Sequence, residues 1–347
     1  MKKKSTIVDI AARVGITPSA VSKALHGNTR ISDDTRNAVL KAAQELGYQQ
    51  NSMASALRTG RTGLIGILVP GIHYSFFSSA IKGAEEVLSD AGYSVMISQS
   101  KDSQEQEKKQ LDGFVRANVE GVIASLGMET KQVGFYQEFS KDRPLVLFDR
   151  VFEDESISNI VIDDFQAAVK VVDHLAEMGY RRIAHLGGYS HILAFNKRME
   201  GYKYGLVKHG LPVLDHFIFE SSPDKDFAMA VMESLFNLPD PPDAVVAASD
   251  YLALGVLNFA KSRQIDVPGQ LGIVGFSNEE LTKHITPSLT TVDQFSEAMG
   301  QAAAELLLDQ ISCIHKGQEA VSQRRVFIPK LIVRDSTRRE LHLANDE

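Results

Sequence analysis

The chain has 347 residues, 44% of them apolar, and a formal net charge of −7. That length exceeds one compact core and predicts two or three domains, each with a sizeable interior. The longest apolar stretches, 64–70 and 243–248, fall far short of the ~20 residues that a membrane-crossing helix needs, so no membrane partner is expected.

Asp9 and Arg13 interrupt the N-terminal region where a secretory signal stays apolar, which predicts a cytoplasmic protein. One cysteine, Cys313, leaves no internal disulfide and no thiolate metal site. Residues 1–61 hold ten Lys/Arg against four acids, and the remaining 286 residues carry −13. A basic head on an acidic body is the charge pattern of a polyanion-binding module joined to a domain that does not bind polyanions, although basic N-termini are common in themselves.

Thr6, three residues before Asp9, reads as a capping-box start, and Ile7, Ile10, Ala11 and Val14 recur at helical spacing until Gly15. A helix over about 7–14 follows. Thr17 caps a second helix with Pro18 in its first position, where the missing N–H costs nothing; it runs to about Leu25, with Gly27 as its stop. Val21 and Leu25 face inward with Ala11, and Ser19, Ala20, Ser22 and Lys23 face out. Ser32, backed by Asp33 and Asp34, opens a third helix to Leu46, closed by Gly47.

Three short helices with a tight first turn form a helix-turn-helix, whose second helix enters the DNA major groove N-terminus first. Other small helical bundles share this outline. The exposed row of short polar side chains with one cation on the second helix favours DNA.

After a short helix-prone stretch, 51–58, and a linker, 59–63, the pattern becomes strand and helix in alternation. Strands are expected over 64–70, 93–98, 121–125 and 144–148, with helices over 76–91 and 104–118. A second set follows, with strands over 159–162, 182–187, 216–220, 243–248 and 271–275, and helices over 166–179, 197–209, 227–237 and 252–264. Continuous apolar strands between amphipathic helices indicate doubly wound parallel sheets. Two such α/β halves enclose a cleft, and cleft ligands sit at the C-terminal strand ends.

Strand ends therefore supply the site candidates. Asp149-Arg150 closes the fourth strand, Phe76 and Phe77 follow the first, Arg198 opens a helix of the second half, and Asp250 follows 245–249. Bland readings stand beside these. A phenylalanine pair opening an amphipathic helix is more often core, and an aspartate after a strand is usually a helix cap. No nucleotide-binding loop, Gly-x-Ser-x-Gly elbow or His-Glu-x-x-His motif occurs, and the ten histidines lack metal-ligand spacing, though His185 and His191 are placed beside the cleft. No enzyme, cofactor or metal is expected.

The run Thr6-Ile-Val-Asp-Ile-Ala-Ala-Arg-Val-Gly-Ile-Thr-Pro-Ser-Ala-Val-Ser-Lys-Ala-Leu, with Thr35-Arg-Asn-Ala-Val and Glu45-Leu-Gly-Tyr48, resembles the DNA-binding head of the lac repressor/galactose repressor family, and the similarity extends over the whole chain. The resemblance implies a transcriptional regulator. It places Pro18, Ser19 and Lys23 at base edges and Thr17, Ser22 and Thr6 on phosphates. Neither Pro18 nor Ser19 offers a bidentate pair to a base, so the operator sequence stays open.

It also implies a hinge helix whose Leu57 wedges into the minor groove, starting less sharply here because Gln50 stands where relatives often have proline. Beyond the head it implies a two-lobed, periplasmic-binding-protein-like core, each lobe a doubly wound parallel sheet. The chain then crosses between lobes near 162, 291 and 323: head 1–48, hinge 49–62, first lobe 63–162 plus 291–323, second lobe 163–290 plus 324–347. On this plan 296–315 returns to the first half and 325–334 to the second.

The resemblance further assigns Phe76, Phe77, Asp149 and Arg198 to the effector pocket. Ser277 departs from relatives that have aspartate there, so a simple hexose is less secure and a protein co-regulator stays open. The expected partners are a pseudo-palindromic DNA operator, a carbohydrate-like effector and a second copy of the chain, since one head reads little groove. With no heptad helix read before Glu347, a dimer is expected rather than a lac-type tetramer. The competing class is a secreted sugar-binding protein of the same two-lobed fold; the helix-turn-helix argues against it.

Overall fold

Local capping chemistry sets the boundaries of the first elements. In α1 (Ile7–Val14) the Thr6 side chain accepts from the Asp9 N–H while the Asp9 carboxylate accepts from the Thr6 N–H at 2.7 Å, a complete capping box. Gly15, at φ 77°, closes the helix by donating to Ala11 O. The helices α2 (Pro18–Leu25) and α3 (Asp33–Glu45) follow, the latter capped by Ser32. Ile10, Ala11, Val21, Ala24, Val39, Ala42 and Ala43 form their shared core. Burying each of the larger ones, Ile10, Val21 and Val39, contributes about 1.5–3 kcal/mol.

The computed structural model describes residues 5–25, 30–48, 61–154, 156–221 and 225–339. Gly27 and most of the expected hinge, Gln50 and Leu57 included, lie outside them. The chain divides after Thr62 into two units.

The second unit holds two six-stranded sheets. In chain order the elements are β1 (Leu64–Val69), α4 (Ser75–Asp90), β2 (Ser94–Gln99), α5 (Gln104–Arg116), β3 (Gly121–Ala124), α6 (Gly134–Asp142), β4 (Leu145–Phe148) and β5 (Ser158–Ile162). Then come α7 (Asp164–Glu177), β6 (Ile183–Gly187), α8 (Leu193–Lys208), β7 (Ile218–Glu220), α9 (Lys225–Leu235), β8 (Ala244–Ala247), α10 (Asp250–Ser262) and β9 (Gly272–Phe276). Finally, β10 (Thr290–Asp293), α11 (Ser296–His315), β11 (Arg324–Phe327) and β12 (Lys330–Ile332) complete both sheets.

The first sheet has the order β11-β5-β4-β3-β1-β2 and the second β12-β10-β9-β8-β6-β7, and strand pairs are parallel except β10 with β12. Strands β3, β4, β5, β6, β8 and β9 are buried along their whole length, as a sheet covered by helices on both faces requires. Helix α11 returns to the first lobe and lies so close to α4 that a Cβ on Gly83 or Gly300 would collide with the backbone carbonyl of Glu297 or Ala80.

Several expectations need correction. The strand at 159–162, grouped by its pattern with the second set, pairs with β4 and β11 in the first sheet. The stretch 325–334 does not go whole to the second half. Its start, β11, pairs Val326 with Val161 and Phe327 with Ile162, and Phe327 packs into the apolar core; only β12 reaches the second sheet.

The chain thus crosses after Ile162, between Asp293 and Ser296, and between Phe327 and Lys330 rather than near 323. The Asp163 N–H donates to Phe327 O at 3.1 Å, so the first and last crossings lie side by side. Elsewhere α8 starts four residues before Lys197, α6 was not anticipated, and the stretch from His216 begins as a 3-10 turn, Asp215–Phe217. Among the described residues no helix is long and apolar enough to cross a membrane.

Candidate functional site

In the first unit, Thr17, Pro18, Ser19 and Lys23 are exposed along α2, and Ser22 is half-buried on the same helix. The Thr17 Oγ accepts from the Ala20 N–H at 3.2 Å, so the cap shares one turn with Pro18 and Ser19, and Lys23 follows in the last turn. No acidic residue occupies that turn. The partial positive charge of the helix start therefore stands open to a phosphate. Thr6, the cap of α1, is exposed, its hydroxyl 2.7 Å from the Asp9 carboxylate.

In the second unit, the C-terminal strand ends of both lobes open onto one partly open cleft, lined by residues of both. Phe76 and Phe77 from the first turns of α4, Asp149 directly after β4, Arg198 on α8 and Ser277 directly after β9 all line it. Residues far apart in sequence are brought together because parallel sheets present all their C-terminal ends on one side. The Phe76 and Phe77 rings meet edge to face at 5.1 Å, and Phe77 also packs against Phe148, so this pair is core on one side and cavity wall on the other.

Arg198 is buried, at 4% exposure, with Nε donating to Asp164 Oδ1 at 2.7 Å and Nη1 to Ala248 O at 2.9 Å. Its guanidinium lies 4.3 Å from the Phe276 ring centre. Burial pushes the Asp164 carboxyl up to about 6 even though Arg198 pulls it down.

Asp149 stands in the left-handed region at φ 58°, and burial raises its carboxyl against the pull of Arg150 and Arg198. Ser277 Oγ donates to Gln294 Oε1 at 3.1 Å and Gln294 Nε2 donates to Asp149 Oδ1 at 3.0 Å. This relay joins the second lobe to the first. Ser277 (φ 112°) and Asn278 (φ 53°) are also left-handed. Aspartate and asparagine enter that region readily, but Ser277 does so only where its surroundings hold it, and it lines the cavity.

Asp250 does not line the cavity. Its carboxylate, 1% exposed, accepts from the Glu279 N–H at 2.8 Å and the Thr291 hydroxyl at 2.6 Å, one layer behind the wall. Burial pushes it up to about 8. The cap of α10 is Ser249, whose hydroxyl accepts from the Leu252 N–H, so Asp250 is neither a wall residue nor the cap but the support of the turn carrying Ser277 and Glu279.

His185 stacks on Tyr202 at 4.9 Å with Nδ1 3.2 Å from Val246 O, and burial holds it down to about 4. His191 Nε2 lies 2.8 Å from Met128 O. Among the described residues no His, Cys, Asp and Glu group has the makings of a metal site.

Tyr74, Tyr251, Glu279 and Gln294 also line the cavity. Tyr74 and Tyr251 meet edge to face at 5.1 Å across the lobes. Composition and spacing mark none of the four, because each reaches the site only through the crossing of the two lobes.

A helix-turn-helix unit followed by a two-lobed α/β unit with a cleft at its strand ends defines a ligand-responsive DNA-binding regulator. Residues 6–51 match the family of bacterial regulatory proteins of the lacI type, and residues 172–337 match the periplasmic binding protein-like domain. The HTH-type transcriptional repressor CytR of Escherichia coli (strain K12) is 32% identical over 334 residues, covering 96% of each chain. The chain belongs to the lac repressor family of bacterial transcriptional regulators.

Among solved structures, a transcriptional regulator CelR–cellobiose complex matches with a TM-score of 0.71 and 27% identity over 96% of this chain and 100% of that one. The lac repressor dimer bound to operator and the anti-inducer ONPF, at 22% identity, shares the fold with a TM-score of 0.85 over 96% of this chain and 99% of that one.

Proposed function

We propose that this regulator is a cytoplasmic, homodimeric repressor. It reads a pseudo-palindromic operator through residues 1–48 and changes its operator affinity when a carbohydrate-like metabolite occupies the cleft. One observation carries the effector half: Phe76, Phe77, Asp149, Arg198 and Ser277 share one cavity wall at the strand ends. The similar CelR structure holds cellobiose, which favours a hydroxyl-bearing ligand.

On the DNA side, Pro18, Ser19 and Lys23 meet base edges, and Thr6, Thr17 and Ser22 meet phosphates. Leu57, in a hinge over 49–62, acts as the minor-groove wedge. The first lobe, 63–162 plus 291–323 and extended through β11, and the second lobe, 163–290 plus the residues after β11, close on the effector. A ligand favouring one lobe arrangement shifts the heads by its differential affinity for the two arrangements.

Genomic footprinting of the full chain identifies the operator, and gel shifts then compare it with residues 63–347. The shortened chain should stay folded and lose all operator affinity. Specific operator binding by 63–347 would overturn the assignment of the head.

A further inference from the structure

Glu279 follows β9 in the second lobe, yet its carboxylate ends on the first. Oε2 accepts from the Ser75 N–H at 2.9 Å and from the Ser75 hydroxyl, and Oε1 accepts from the Phe76 N–H at 3.2 Å. Ser75 and Phe76 are the first two residues of α4, whose N-cap residue, Tyr74, makes no side-chain cap bond. The cap of this helix is therefore supplied from the opposite lobe, by a residue 204 positions away.

The carboxylate is held in place from behind. The Glu279 N–H donates to Asp250, and its carbonyl accepts from the Thr282 hydroxyl at 2.6 Å. Glu279 is only 4% exposed and still forms part of the cavity wall.

The charges around the cavity have a matching bias. Its two guanidinium groups are already paired inside the protein, Arg150 with Asp102 at 2.7 Å and Arg198 with Asp164 at 2.7 Å. Among the described residues lining the cavity there is no third cation, while Asp149 and Glu279 add two carboxyls. A phosphate or carboxylate entering here would meet no unpaired positive side chain. Of the helix starts at the cavity, that of α4 is filled by Glu279 and that of α10 is capped by Ser249, while that of α8, after Ile192, has no side-chain cap.

Resting on the cleft as the effector site, we propose that Glu279 determines effector charge: it acts as a tethered anion on the α4 start, shuts out phosphorylated and carboxylated metabolites, and admits neutral or cationic hydroxyl- or amine-bearing ligands. A hydroxyl or ammonium donor has a carboxylate to meet, whereas an anion faces like charge in a cavity where screening is weak.

Sulfate serves as the probe. Isothermal titration at fixed ionic strength compares the full-length protein with Glu279→Ala and Glu279→Gln. Sulfate bound at the basic head or elsewhere on the surface contributes equally to all three, so the difference isolates the cleft. Glu279→Ala should gain a sulfate site with at least roughly tenfold higher affinity than any in the parent, the size of response that removing one adjacent like charge supports. Glu279→Gln, which keeps one acceptor for Ser75, should gain less.

Circular dichroism checks that each variant is folded, and the amide variant carries the test if the alanine variant is not. Folded variants that bind sulfate no better than the parent would overturn the proposal. So would a parent protein that binds ribose 5-phosphate in the cleft more tightly than ribose. Operator gel shifts on the same samples keep the two readings apart: a sulfate gain without any change in operator affinity would count against effector control and leave the charge selection standing.

Discussion

Arg198 and Asp164 form a buried ion pair, Nε to Oδ1 at 2.7 Å, with side-chain exposures of 4% and 7%. A pair so enclosed stabilises little in itself, but breaking it strands a charge. Asp164→Ala should cost about 3–5 kcal/mol in urea unfolding. Asp164→Asn, which keeps an acceptor for Nε, should cost clearly less. Adding Arg198→Met to Asp164→Ala should recover much of the loss, and equal, additive costs would show that the two groups are not coupled.

His185 is buried and neutral, with a folded pKa near 4 against 6.5 when exposed. Between those values the unfolded chain takes up a proton that the folded chain refuses. Stability present above pH 6.5 is thus lost as the pH falls toward 4, by about 3 kcal/mol in all. His185→Phe retains a ring against Tyr202. Its stability relative to the parent should rise as the pH is lowered from 7 to 5, as read by urea midpoints.

Asp250 behaves in the opposite sense. Its folded pKa near 8 exceeds the ordinary 3.8, so the stability it supports is complete below about pH 4 and declines as the pH rises through 8. Asp250→Asn has no proton to lose. Its amide oxygen can accept from the Glu279 N–H, and its amide nitrogen meets the Thr291 hydroxyl, which then turns to accept instead of donating. The variant's stability relative to the parent should increase from pH 5 to pH 8 and then level off.

Gly300 sits where α11 meets α4 backbone to backbone. Gly300→Ala forces a methyl against Ala80 O and should cost about 1–3 kcal/mol in thermal or urea unfolding, as overpacking does. On α5, a Cβ at Gly113 would meet only the far end of Arg116, at 3.8 Å. Gly113→Ala should instead gain about 0.5–1 kcal/mol from backbone entropy.

For the proposed hinge, Leu57→Ala should weaken specific operator binding by roughly tenfold or more while leaving non-specific DNA affinity nearly unchanged, since only the specific complex uses a kinked step. An equal loss on both DNAs would remove the wedge role.

The head and the sheets were legible because their signals are local. Thr6 with Asp9, Gly15, Ser32 and Gly47 specify caps within one turn, and the buried strands read as unbroken apolar runs. Phe76, Phe77 and Asp149 could be named because strand ends face a cleft in this architecture, whereas Arg198 and Ser277 were named through the family resemblance. Asp250 was misplaced because a carboxylate after a strand looks the same whether it caps, binds or supports. Glu279 was invisible for a deeper reason: its partners Ser75 and Phe76 lie two hundred residues upstream, and no period or spacing encodes that approach. The position of β11 was lost likewise, since a four-residue edge strand pairs equally well with either sheet until Phe327 finds its core.

The two lobes are tied by three short connections, two of them hydrogen-bonded side by side through Asp163 and Phe327. Connections this short restrict sliding and separation of the lobes, and a swing about the paired strand ends is the motion they restrict least. On the proposed function, the free energy that a ligand releases in the cleft would go chiefly into that one angle, with the strand ends as its fulcrum.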